Sequence, residues 1–238
     1  MRCAVFADIH GNLEALRAAL VETRKRVLSR FMVLGDSVGY GANPNECLAW
    51  ALQNAAFHVL GNHEAALMRE EIRSDFTDWA RIAIEWTAEK LRPELLSKIR
   101  DLPYFQAQGQ VALAHGTLHD PERFHYLMHP ADAQKSFMAS KTRFGFMGHS
   151  HVPCFFSETE GTFGHLNSGV LHFKKGERYL LNPGSIGQPR DRDPRLSFGI
   201  FDEAELTFEI VRLPYDNTTA ARKIRDEGLP RFLADRLL

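Results

Sequence analysis

The sequence predicts an α/β fold, and three observations carry that expectation. Up to about residue 150, apolar runs of strand length alternate with longer stretches of helical period. Beyond that point, short segments rich in aromatic and branched residues are joined by turns, and two helical segments close the chain. Five of the early apolar runs also stop at the same kind of chemistry: an aspartate, an asparagine or a histidine.

Cys3 to Ala7 is the first run, a buried strand ending at Asp8-Ile9-His10. Gly11 permits an unusual backbone angle, and Asn12 can cap the helix that follows. In that helix Leu13, Leu16, Leu20 and Val27 mark one face, with Arg17, Arg24, Lys25 and Arg26 largely outside it. Phe31 to Leu34 is the second strand and runs into Gly35-Asp36-Ser37-Val38-Gly39-Tyr40-Gly41. Asn43-Pro44-Asn45-Glu46 supplies a cap, a first-turn proline and a glutamate three residues on, so a helix burying Leu48, Leu52 and Ala55 should follow.

Phe57 to Leu60 is the third strand and ends in Gly61-Asn62-His63-Glu64. From Glu64 to about Leu102 the pattern is helical. Trp79, Ile82, Ala83 and Trp86 form one stripe and Leu95, Ile99 and Leu102 another; Pro93 breaks the run. The tryptophans read as core. Tyr104 to Ala107 pairs with Val111 to Ala114 around Gly109, and the second strand ends in His115-Gly116. A loop from Thr117 to His129, holding His119, His125 and His129, leads to a helix at about Ala131 to Ala139. Phe144 to Met147 is a further buried strand, ending in Gly148-His149-Ser150-His151.

The later strands are Pro153 to Ser157, Gly169 to Phe173, Arg178 to Leu181, Leu196 to Phe201 and Leu206 to Leu213. Between them Asn182 to Arg190 is too turn-rich for either element. Thr218 to Glu227 and Pro230 to Leu238 are helical, with Gly228 at the break. No repeat, low-complexity segment or linker divides the chain, so one domain over residues 1–238 is expected.

Composition narrows the functional classes. The formal net charge is −1, which gives no argument for bulk nucleic-acid or membrane binding. No apolar run approaches a membrane span, and Met1-Arg2-Cys3 opens into a strand without a signal-peptide layout. Cys3, Cys47 and Cys154 are widely spaced and odd in number, which fits a reducing, cytoplasmic setting. The pattern leaves oligomeric state open.

Asp8, His10, Asp36, Asn62, His63, His115, His149 and His151 all follow runs that should be buried. Ligands of α/β folds bind at the carboxyl ends of strands. One such histidine could simply satisfy a backbone carbonyl; five coincidences argue for a shared site. Even with His63 left aside, two carboxylates, four imidazoles and one amide exceed a tetrahedral zinc site. They suit two cations about 3.5–4 Å apart that share a bridging carboxylate. Such a site stays cationic after Asp8 and Asp36 are counted, so it attracts phosphate, and hydroxide held between two metals is a nucleophile at neutral pH. Imidazole-rich ligation favours manganese, iron, cobalt, nickel or zinc over magnesium or calcium.

Asp8-x-His10, Gly35-Asp36, Gly61-Asn62-His63-Glu64, His115 and Gly148-His149-x-His151, in this order, resemble the calcineurin-like metallophosphoesterase superfamily. Gly35 to Asn45 and Asn182-Pro183-Gly184-Ser185 resemble its small prokaryotic phosphodiesterase branch. The resemblance implies a four-layer α-β-β-α sandwich of two mixed sheets flanked by helices. It implies one metal on Asp8, His10, Asp36 and His151, and another on Asp36, Asn62, His115 and His149. Asp36 would bridge them, and His63 would be the catalytic histidine. Manganese is the metal expected to support activity.

One departure bears on His63. The family often has Gly-Asp-x-x-Asp, whose second aspartate orients the catalytic histidine, and here that position is Gly39. Asn12 reads as a helix cap that also steadies the site around Asp8. Arg190 could clamp a phosphate through its guanidinium, or could pair with Asp191 and Asp193 together with Arg192 and Arg195. The leading functional reading is a dinuclear phosphoesterase acting on a phosphodiester or small nucleotide. The serine/threonine phosphatase branch shares Gly-Asn-His-Glu but carries Asp-Arg where this chain has Gly39-Tyr40. A scaffolding member that has lost its chemistry is the third reading; here every metal position keeps a competent side chain.

Overall fold

Period-two alternation decides where each strand packs. The computed structural model describes all 238 residues, Met1–Leu238. In β1 (Arg2–Phe6), Cys3 and Val5 face one apolar core while Ala4 and Phe6 face another. A strand buried on both faces reads as a continuous apolar run, which is why it was visible in the sequence. The other strands are β2 (Phe31–Val33), β3 (Ala55–His58), β4 (Phe105–Gln108), β5 (Val111–Ala114), β6 (Phe144–Phe146), β7 (Cys154–Ser157), β8 (Phe163–His165), β9 (Gly169–His172), β10 (Tyr179–Asn182), β11 (Leu196–Asp202) and β12 (Thr207–Leu213). Of these, β8 is a short, exposed edge strand that the sequence pattern did not show.

Two mixed six-stranded sheets result, one ordered β3-β2-β1-β11-β12-β9 and the other β4-β5-β6-β10-β7-β8. Each contains a parallel trio: β1, β2 and β3 in the first, β5, β6 and β10 in the second. The sheets share a core in which Val5, Met32 and Phe201 of the first meet Leu113, Phe146 and Leu181 of the second. Phe6 is fully buried on the opposite face, against Phe31, Trp50 and Phe198. Truncating such an aromatic to alanine costs about 3–5 kcal/mol.

Helices cover both outer faces. They are α1 (Leu13–Lys25), α2 (Pro44–Asn54), α3 (Asn62–Met68), α4 (Glu70–Arg73), α5 (Asp78–Lys90), α6 (Pro93–Ile99), α7 (Pro130–Ala139), α8 (Asn217–Asp226) and α9 (Arg231–Asp235). Leu16 and Ala19 of α1 and Ala51 of α2 pack on the first sheet, and Ala133 and Phe137 of α7 on the second. The expected four-layer α-β-β-α sandwich of two mixed β-sheets flanked by helices is the observed architecture. No helix is long and apolar enough to cross a membrane.

Three local expectations are corrected. The buried face of α5 is Ala80, Ala83, Ile84 and Thr87, whereas Trp79 is 46% exposed and Ile82 40%. Trp79 leaves the core and stacks on Phe232, whereas Trp86 is half-buried against the cluster of Ala83, Ile224 and Leu233, with Lys90 over its ring. Val27 is 86% exposed, because α1 ends at Lys25 and Val27 turns the chain at φ 55°. Asn43 caps no backbone N–H of α2; it donates to the Glu46 carboxylate and accepts from Lys223.

Candidate metal centre

The carboxyl ends of the two parallel trios meet. Asp8 and His10 follow β1, Asp36 follows β2, Asn62 and His63 follow β3, His115 follows β5, and His149 and His151 follow β6. The loop after β10, Pro183 to Arg190, closes over them. Asp8, His10, Asp36, His149 and His151 all hold positive φ, between 48° and 66°. A non-glycine residue pays roughly 1–3 kcal/mol for such a conformation, so packing and hydrogen bonds must over-determine it.

The hydrogen bonds are mostly to backbone. His10 Nδ1 lies 2.8 Å from the Val38 carbonyl, His115 Nδ1 2.7 Å from that of Leu34, and His151 Nδ1 2.5 Å from that of Gln188. A carbonyl only accepts, so each Nδ1 carries a proton and each Nε2 is left as the atom that can ligate a cation. Asp36 Oδ1 accepts from the His63 N–H at 2.9 Å, and Asp8 Oδ2 from the His149 N–H at 3.1 Å. Asn182 donates to the Gly148 carbonyl and Ser185 to that of Asp8.

The free atoms then converge. His10 Nε2 stands 3.1 Å from His151 Nε2, and His115 Nε2 stands 3.0 Å from Asn62 Oδ1 and 3.1 Å from His149 Nδ1. Asp8 Oδ1 is 3.3 Å from His151 Nε2, buried, and without a hydrogen-bond partner. Asp36 Oδ2 lies 3.6 Å from His10 Nε2 and 3.3 Å from His115 Nε2. Asp8, His10 and His151 form one cluster, and Asp36, His115 and His149 a second, with ligand atoms within 4.8 Å of one another. Lone pairs that face each other at such distances repel, and a cation between them turns repulsion into attraction. The donor set therefore fits metal ions.

Protonation follows the same crowding. Burial pushes the Asp8 carboxyl up to about 6. Burial would lower His115, but the Asp36 and Asp8 carboxylates raise it to about 9, so its Nε2 carries a second proton that a cation would displace. Burial holds His63 down to about 4.

His63 is held without a carboxylate. Its ring packs against those of His10, Tyr40 and Phe76 at 4.6–4.7 Å between centroids, and its Nδ1 is buried with no partner. Gly39 explains the missing aspartate: its φ is 83°, and a Cβ there would come within 2.1 Å of His63 Nδ1. Close approach, and not a side-chain hydrogen bond, fixes this imidazole. A second tight contact lies at Gly61, where a Cβ would meet Asp36 Oδ1 at 2.1 Å.

Asn12 is a helix cap, accepting from the Ala15 N–H; it also donates to the Gly187 carbonyl, and the Gly187 N–H donates to the carbonyl of Asp8. Arg190 does not pair with its acidic neighbours. Asp193 is taken by Arg195 and Asp191 by Arg212. Arg190 instead donates to Tyr40 and Gln188 and lines a cavity of about 410 Å³ together with Asn62, His63 and His149. Arg123, Phe124 and Tyr126 of the 117–129 loop line the same cavity, whereas His119, His125 and His129 do not.

Sequence reasoning assigned no role to Glu64. Its buried carboxylate accepts the backbone N–H groups of Asp36, Ser37 and Gly61, which fixes the turn carrying Asp36. A glutamate directly after Gly61-Asn62-His63, at the end of a buried run, was the available signal.

A family model for the calcineurin-like phosphoesterase superfamily domain matches residues 1–205. Protein MJ0912 of Methanocaldococcus jannaschii is 37% identical over 241 residues, which is 98% of this chain and 96% of that protein. A metallophosphoesterase from Sphaerobacter thermophilus superposes with a TM-score of 0.90 at 34% identity, covering 100% of this chain and 98% of that one. Protein PH1004 from Pyrococcus horikoshii OT3 superposes with a TM-score of 0.80 at 19% identity, over 99% of this chain and 97% of that one, a likeness of fold.

Proposed function

The chain belongs to the calcineurin-like phosphoesterase superfamily, and on that premise we propose that it is a metal-dependent hydrolase of a phosphodiester or small nucleotide. Asp8, His10, Asp36 and His151 would hold one divalent cation, and Asp36, Asn62, His115 and His149 the other. The observation that carries this reading is the position of Asp36 Oδ2, within 3.6 Å of His10 Nε2 and 3.3 Å of His115 Nε2. Divalent transition metals, manganese foremost, would draw charge from the phosphoryl oxygens and lower the pKa of a water in the site.

The protein's own groups do the rest. Pinned Nδ1–H groups fix the tautomers, so that no reorganisation is needed when the ligand atoms act. His63 Nε2, 4.0 Å from Asp36 Oδ2, is the nitrogen that would face the reacting phosphate. Burial keeps the ring neutral, so its Nε2–H would give a hydrogen bond to the leaving oxygen as charge develops there. The cavity volume of about 410 Å³ supports a diester, because a second ester group needs room that a monoester does not. Gly39-Tyr40 stands in place of the Asp-Arg pair of protein phosphatases, and this favours a small substrate. We read residues 1–238 as one domain, supported by the core that both sheets share. Three buried free cysteines support a reducing, cytoplasmic setting.

Metal analysis of the purified protein, with turnover of bis(p-nitrophenyl) phosphate and p-nitrophenyl phosphate, tests this. Two ions per chain, loss of turnover on chelation and rescue by manganese are expected, with the diester preferred. Full activity in metal-free protein would sink the reading, and a strong monoester preference would overturn its diester part.

A further inference from the structure

The cavity over the metal centre has a charge pattern that the scissile phosphate alone does not call for. Three arginines line it, Arg123, Arg190 and Arg236, against one acidic side chain, Asp75. None of the three forms a salt bridge, whereas Arg26, Arg195, Arg212 and Arg225 each do. Arg190 reaches only the neutral oxygens of Tyr40 and Gln188, and its Nε is buried without a partner. Arg236 follows α9 and rests over the Phe232 ring, at the exposed mouth of the cavity. It lies beyond residue 205, where the family match ends. Arg236 and Arg190 line the same cavity, and burial first, then the Arg190 charge, holds Arg236 below its ordinary value. Like charges brought together without acids are stabilised by an incoming anion. Ile72, Phe76, Phe124 and Tyr126 make the remaining wall apolar.

We propose that Arg236 and Arg190 bind a second anionic group of the substrate, so that the preferred substrate is a phosphate ester carrying another phosphate or carboxylate beyond the scissile phosphorus. This deepens the phosphodiesterase reading and rests on it for turnover, though not for binding. Arg190 joins the floor through its backbone N–H to the His151 carbonyl and Arg236 is exposed, so the anion they share lies on the solvent side of the scissile phosphate. The apolar wall takes the organic part between them.

The test uses the manganese-loaded protein and thymidine 5′-(p-nitrophenyl phosphate), with and without a 3′-phosphate. The 3′-phosphate should raise kcat/KM by about tenfold or more, mainly through KM, as expected for a charge-assisted contact. In Arg236→Gln the advantage should fall towards one, and Arg236→Lys should restore part of it. Arg231→Gln, on α9 and paired with Asp235, should keep the full advantage. A carboxylate arm compares p-nitrophenyl phosphodiesters of 4-hydroxybutyrate and of its amide; preference for the acid alone would assign a carboxylate. Calorimetry with thymidine 3′,5′-bisphosphate against thymidine 5′-phosphate reads the same site without turnover. Tighter binding of the bisphosphate, lost in Arg236→Gln, would uphold the anion site even if no diester is hydrolysed, an outcome that rejects the enzyme reading alone. Hydrolysis of both thymidine substrates with equal kcat/KM, together with equal binding, would overturn the proposal and leave the enzyme reading standing.

Discussion

The floor of the site and the wall above it are built by different rules. The floor residues come just after parallel strands, and the rings of His10, His115 and His151 are pinned by the main-chain carbonyls of Val38, Leu34 and Gln188. The wall comes from unrelated places: Phe76 before α5, Tyr126 in the 117–129 loop, Arg190 after β10 and Arg236 after α9. Its side chains have few fixed partners. The floor can therefore hold a charge arrangement rigidly, which chemistry needs, while the wall can change without unfolding the sheets, which suits substrate choice. Floor substitutions should then alter metal content and rate, and wall substitutions should alter KM.

The largest effect is expected at Asp36. Asp36→Asn keeps the shape but removes the charge facing both clusters. Metal analysis should show occupancy lost at both positions and activity at background, while Asp8→Asn should weaken mainly one. Two ions at unchanged affinity in Asp36→Asn would break the idea of a common carboxylate.

Next comes His63. His63→Ala should keep both metals and lose about 10²–10⁴-fold in rate on an alkyl or nucleoside diester, but much less on a nitrophenyl one, whose leaving group is stable as an anion. Gly39→Ala should approach the same phenotype, because its Cβ would occupy the space of His63 Nδ1. In a double mutant the two losses should not add. Equal losses on both substrate types would argue for phosphate binding by His63 and against a hydrogen bond to the leaving oxygen.

Why the floor was legible and the wall was not has a physical basis. A strand buried on both faces is a continuous apolar run, and its end is marked by the first polar residue, so Asp8, Asp36, Asn62 and His115 announce themselves. What pins them is invisible in sequence. The acceptors are carbonyls of Val38, Leu34 and Gln188, which any side chain could have supplied. The positive φ angles of Asp8, Asp36 and His149 carry no glycine to flag them. Trp79 misled because hydrophobicity at helical spacing does not say which flank faces inward, and the small residues Ala80 and Ala83 took the buried face. Arg236 had no local signal at all; only the fold brings the end of the chain to the cavity mouth.

Glu64 sharpens the comparison from below the floor. Its two oxygens accept three backbone N–H groups, and an amide in their place would offer one acceptor and two unwanted donors. Glu64→Gln should weaken metal affinity by about 10–100-fold, as loss of an outer support typically does. His58, on β3, shows what an unsupported buried imidazole costs. Neither ring nitrogen has a partner, and burial lowers its pKa to about 4. The unfolded chain takes up a proton near pH 6.5 and the folded one resists, so stability is complete above that pH and is lost as pH falls towards 4. Urea unfolding at pH 6.5 and pH 5 should differ by roughly 2 kcal/mol more in the wild type than in His58→Leu.

The smallest effect, and the closest test of where floor ends and wall begins, is at Tyr126. Its ring stacks on His149 at 3.9 Å between centroids and 19° between planes, yet it is 47% exposed. It thus belongs to the wall by origin and touches the floor by contact. An aromatic stack contributes about 0.5–1.5 kcal/mol, so Tyr126→Ala can weaken His149 as a ligand by no more than roughly tenfold. If the wall acts on substrate, KM for a nucleoside diester should rise a few-fold while metal stoichiometry stays at the wild-type value. Tyr126→Phe should behave as wild type, since the stacking ring is retained. Loss of one metal in Tyr126→Ala, with KM unchanged, would move this residue into the floor and show that the loop after β5 helps to build the metal centre.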